Sequence, residues 1–155
     1  MAHMAGIAGP TRFSDFRHAR KSITFDGSAG GGASGTPVDV FTITGRVLVA
    51  SLTIYCSADL TTSGAAIIGC GTATYVQGIV PNTTATTIDT PLYWNSNSPD
   101  TLILEAITQT LGVPGGMVLS EDVILTIGTA NVTGGTLIFD IWYQPITDDG
   151  ALVAA

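Results

Sequence analysis

Thr136-Leu137-Ile138-Phe139-Asp140-Ile141-Trp142-Tyr143-Gln144-Pro145 is the stretch on which the fold class turns. Leu137, Phe139, Ile141 and Tyr143 alternate with Ile138, Asp140, Trp142 and Gln144, the period of two that sends successive side chains to opposite faces of a β-strand. Both faces carry large apolar groups, and Asp140 is the polar exception. Such a strand is covered on both sides. It is central in a sandwich, or its second face meets another subunit through Trp142 and Ile138. Pro145 ends the ladder because it has no amide hydrogen to donate.

The same alternation recurs upstream. In residues 47–56, Leu48, Ala50, Leu52, Ile54 and Cys56 fall on one expected core face. Residues 38–44 precede it across Gly45-Arg46, where a glycine inside a strand pattern marks a bulge or turn. Residues 22–26 read as a half-buried strand and 27–35 as a flexible Gly-rich linker, which lacks the Gly-Lys-Ser/Thr of a phosphate loop. Residues 59–64 read as a loop leading into a strand at 66–70. Further strands are expected at 73–80, 87–89, 92–94, 101–107 and 123–128, while 151–153 form an apolar tail, frayed or packed on a neighbour.

Composition sets the outer limits. The chain has 155 residues, 45% hydrophobic and only 11% charged, against roughly 25% charged in an average domain. That length supports one domain burying roughly two thirds of its unfolded surface. Disorder is excluded, since it requires low hydrophobicity with high charge. No apolar run approaches the ~20 residues of a membrane-spanning helix, and no membrane partner is expected. The N-terminus lacks the apolar core of a secretory signal. About eight to ten short strands without a long helix give an all-β fold, a β-sandwich or jelly roll over residues 26–155.

Residues 1–25 differ from this body. Arg12, Arg17, Arg20 and Lys21 are opposed there only by Asp15, whereas the remainder holds Arg46 and eleven carboxylates. A flexible basic N-terminal arm thus precedes an acidic domain. It is either a solvated terminus or a segment that docks on an acidic surface, with Phe13 and Phe16 as apolar anchors. Nucleic acid is not an expected partner, because four bases make a small face and the acidic body repels phosphate.

Catalytic chemistry lacks its parts. His3 and His18 both fall in the arm, so no rigidly held base is available for a Ser-His or Cys-His arrangement. Glu121-Asp122 and Asp148-Asp149 are adjacent pairs, unsuited to flanking one glycosidic bond, and read as strand-edge and turn charges. No calcium-loop or zinc-ligand spacing occurs, and neither metal nor cofactor is expected. Cys56 and Cys70 would pair only in one register of a hairpin centred near Ser63; otherwise they are two buried thiols. Tyr93 and Trp94, beside the polar run 95–100, offer a saccharide platform as an alternative to a core or interface role.

Phe41-Thr42-Ile43-Thr44-Gly45-Arg46-Val47-Leu48-Val49, preceded by Thr24-Phe25-Asp26-Gly27 and the Gly-rich spacer, resembles a group of small proteins from the structural gene modules of tailed bacteriophages. Ile88-Asp89 before Trp94, the run from Leu125 to Gly135, and Phe139-Asp140-Ile141-Trp142-Tyr143-Gln144-Pro145 extend the resemblance over about residues 22–154. It implies a non-enzymatic virion protein, most plausibly a head decoration or cement protein that forms a homotrimer on the major capsid protein lattice. It carries over no catalytic residue. On this reading Arg12, Phe13, Phe16, Arg17, Arg20 and Lys21 form the capsid-gripping arm, and the protein, made in the host bacterial cytoplasm, resides on the capsid surface. The alternative is a tail or fibre domain that binds host saccharide near Trp94. A glycan hydrolase using Asp140 or Glu105 is a distant third.

Overall fold

A computed structural model describes residues 16–88, 90, 93–94 and 116–155. Ten strands run through them in the order β1 (Arg17–Thr24), β2 (Val38–Thr44), β3 (Val47–Thr62), β4 (Ile67–Gly71), β5 (Val80–Thr84), β6 (Tyr93–Trp94), β7 (Met117–Leu119), β8 (Val123–Gly128), β9 (Val132–Pro145) and β10 (Ala151–Ala154). They form two antiparallel five-stranded sheets. The first has the order β1-β9-β3-β6, with β7 also on β3, and the second the order β10-β2-β8-β4-β5. The expected all-β sandwich is the observed architecture.

β9 is an interior strand of the first sheet, paired with β1 on one side and β3 on the other. Its inward residues Leu137, Phe139, Ile141 and Tyr143 are all buried. They face Phe41, Ile68, Leu125 and Leu152 from the second sheet, and all belong to one continuous apolar core. Burial of each such side chain stabilises the fold by about 1.5–3 kcal/mol, so this double layer accounts for the sandwich without metal or disulfide.

Several expectations shift at irregularities. On β3 the register slips between Val49 and Ser51. One extra residue inverts the alternation, so Val47 and Val49 are buried while Leu48 and Ala50 are only half-buried; Leu52, Ile54 and Cys56 return to the core. β3 then runs on to Thr62, absorbing part of the expected loop at 59–64. Residues 73–79 form turns instead of a strand, where side-chain oxygens capture the backbone: the Tyr75 amide donates to the Thr72 hydroxyl at 3.2 Å and the Thr74 amide to the Glu121 carboxylate at 3.0 Å. The expected strand at 101–107 lies outside the described residues. The apolar tail is β10, paired with β2 from Ala151 to Ala154.

Cys56 and Cys70 sit in different sheets, since β3 pairs with β9 whereas β4 pairs with β8. The hairpin that would join them does not form. Neither forms a disulfide, both are buried, and burial pushes the Cys70 thiol up to about 12.

Candidate functional site

Part of the expected arm belongs to the first sheet: residues 17–24 form β1, registered against β9 from Arg17 opposite Tyr143 to Thr24 opposite Thr136. Ala19, Ile23 and Phe25 supply the inward alternation, and Ile23 and Phe25 are buried. Charged residues are compatible with this strand because it is a sheet edge, where charge also discourages unwanted strand pairing. Phe16 is half-buried at its start, and Arg12 and Phe13 lie outside the described residues.

The register of β1 creates a polar cluster on the outer face of the first sheet. His18, Arg20 and Ser22 stand opposite Trp142, Asp140 and Ile138. Asp140 accepts from His18 Nε2 at 2.6 Å, from Arg20 Nε at 2.7 Å and from Arg20 Nη2 at 3.0 Å. Its side chain keeps only 18% exposure. Burial alone pushes this carboxyl up, but hydrogen bonds and charge from Arg20, and then His18, outweigh it and hold the group below its usual range. The ionised Asp140 is therefore the acceptor throughout.

The His18 ring lies against Trp142, centroids 4.7 Å apart at 34°. Trp142 remains 47% exposed. Beyond it, Ile138 is half-buried opposite Tyr55 of β3. This face combines a projecting aromatic with a carboxylate whose charge is already answered, so little uncompensated charge opposes its burial against another surface. Lys21 reaches across the open side of the sandwich, where its ammonium donates to the Ala155 carbonyl.

Tyr93 and Trp94 form β6, their backbones opposite Tyr55 and Ile54. Their side chains and residues 95–100 lie outside the described residues, as does Glu105.

Two features escaped the sequence. One end of the sandwich carries Glu121 and Asp122 between β7 and β8 and Asp148 and Asp149 between β9 and β10: the Ile43 amide donates to Asp122 at 2.7 Å, and the Arg46 amide donates to Thr147 at 2.9 Å beside Asp149. Next to it opens a cleft of about 440 Å³ between the 72–79 turns and β7, walled by Tyr75, Ile79, Met117, Val118 and Leu119, with Glu121 at the rim. The Thr74 hydroxyl donates to Glu121 at 2.6 Å, and its bonds, with a further one from Thr72, hold this carboxylate below its usual range. Tyr75 is 72% exposed. Among the described residues no group of three or more His, Cys, Asp or Glu is placed to hold a metal, and no helix is long and apolar enough to cross a membrane.

No family model and no curated protein matches the chain. Among solved structures it is similar to a chain described as "Cyanophage Pam1 capsid asymmetric unit", at 13% identity and a TM-score of 0.46, covering 94% of this chain and 97% of that one. A likeness of that degree carries no argument about role.

Proposed function

We propose that this chain is a non-enzymatic structural protein of a tailed-phage virion, a head decoration or cement protein that assembles as a homotrimer and attaches by adhesive surfaces. The observation that carries the reading is the outer face of β9. Trp142 projects from it beside Ile138, with Asp140 already bound by Arg20 and His18. A projecting tryptophan in a locally neutralised setting has the character of an interface anchor. The sequence resemblance over residues 22–154 supplies the virion setting. The segment ahead of β1, with Arg12, Phe13 and Phe16, is the clasping element. Three such segments on one trimer bind jointly, and avidity can exceed single-segment affinity by roughly 10²–10⁴.

The test is co-sedimentation with empty heads that lack this protein. Truncation of residues 1–15 leaves β1 whole, and the shortened chain is expected to fold yet fail to sediment with heads. Retained attachment would remove the segment from the account. A saccharide-binding tail role predicts instead that Trp94→Ala abolishes glycan binding while head attachment is absent in every variant.

A further inference from the structure

We infer that the cleft between the 72–79 turns and β7 is the docking site for the basic, aromatic N-terminal segment of a second copy of this chain, with Phe13 in the apolar floor and Arg12 on Glu121. The inference rests on the reading of the chain as a self-associating protein and names the contact.

Three observations carry it. The first is chemical fit. The walls Ile79, Met117, Val118 and Leu119 accept an apolar ring, and exposed Tyr75 offers a face to a ring or a guanidinium. The carboxylate of Glu121, held in place by Thr74, meets a planar cation at the rim. Asp122 beside it, and Asp148 and Asp149 in the β9–β10 loop at the same end, add negative potential that steers a basic segment to this end. Within this sequence the stretch Arg12-Phe13-Ser14-Asp15-Phe16-Arg17 joins arginines to aromatics.

The second is direction. β1 is antiparallel to β9 and begins at Arg17 opposite Tyr143, near the end of β9, so the chain enters β1 from the acidic end of the sandwich.

The third is reach, and it selects a second copy over the same chain. Arg17, Tyr143, Val49 and Met117 lie in one row across the first sheet. Three strand spacings of about 4.8 Å separate Arg17 from Met117 along that row, roughly 14 Å, and the cleft lies beyond Met117. Phe13 precedes Arg17 by four residues, which span at most about 14 Å when fully extended. The same chain could place Phe13 there only by turning at right angles and crossing three strands without slack. A neighbour's segment enters with no such constraint. Contacts of this head-to-tail kind, a segment of one copy on a different surface of the next, close into a ring when the rotation between copies is one third of a turn, as a trimer requires.

Photocrosslinking on the purified full-length protein tests this without heads, so its failure is separate from any failure of head attachment. An equal mixture of ¹⁵N-labelled and unlabelled chains carrying Phe13→benzoylphenylalanine is irradiated and the crosslinked peptides are sequenced by mass. The expected products join position 13 to residues 72–79 or 117–121, in pairs that combine labelled with unlabelled peptides. Glu121→Lys should lower their yield roughly fivefold, and Arg12→Glu together with Glu121→Lys should restore it. Crosslinks confined to one label, crosslinks to residues 95–115 or to the outer face of β9, or the absence of any crosslink would each overturn the inference.

Discussion

His18 and Trp142 are cross-strand partners on β1 and β9, and their rings meet at 4.7 Å on the exposed face of the first sheet. The contact covers one side of a half-exposed tryptophan, while Asp140, from the adjacent Arg20–Asp140 pair on the same face, binds His18. A preorganised aromatic loses less rotamer freedom when a partner covers it.

Trp142→Ala should therefore separate assembly from folding. Because the side chain is half-exposed, its loss is expected to cost the monomer no more than about 1 kcal/mol. The assembled mass should fall to that of a single chain. Light scattering reads the mass and urea titration the stability; an unchanged mass would remove this face from the interface.

Acid should weaken the Asp140 cluster in a defined direction. Its folded carboxyl titrates below the ordinary value of about 3.9. A lowered folded pKa contributes stability that is complete above the ordinary value and vanishes as pH falls through the lowered one. The gap in melting temperature between the natural chain and Asp140→Asn should accordingly be constant near neutrality and close as pH falls below the ordinary carboxylate value and through the lowered one. A gap that persists at the acid limit would show that Asp140 acts by packing alone.

How much of this was legible beforehand depends on where each strand lies. β9 declared itself because it is interior and apolar on both faces. β1 did not: its charges resemble a solvated arm, and only the spacing of Ala19, Ile23 and Phe25 betrays an edge strand. The bulge at Ala50 inverts an alternation that reads as regular, since nothing in Val49-Ala50-Ser51 marks it. The polar cluster and the cleft are products of tertiary pairing. His18 and Asp140 are 122 residues apart, and Thr74 and Glu121 are 47 apart, so no local pattern joins them.

Gly135 illustrates a position that sequence marks only as a turn residue. It has φ +98°, and an added Cβ would overlap the carbonyl of Asp59 on β3. Gly135→Ala is expected to destabilise the fold by about 1–3 kcal/mol through strain and displaced pairing. Denaturant midpoints measure it, and a neutral result would mean that β3 and β9 separate there at no cost.

The thiols offer a chemical check on the separation of the sheets. With Cys56 and Cys70 buried in different layers, neither should react with an aromatic disulfide reagent at mild alkaline pH until denaturant is added, when both should. The mass under non-reducing conditions should equal that of two free thiols. Loss of two hydrogens in the native protein would place the cysteines together and contradict the sheet assignment.

The most direct test of a protein that acts by clasping its neighbours is the light-scattering mass of the purified, full-length chain near neutral pH. The account predicts a single species of three times the 15.9 kDa of one chain. A stable species of 15.9 kDa, unchanged on concentration, would contradict it.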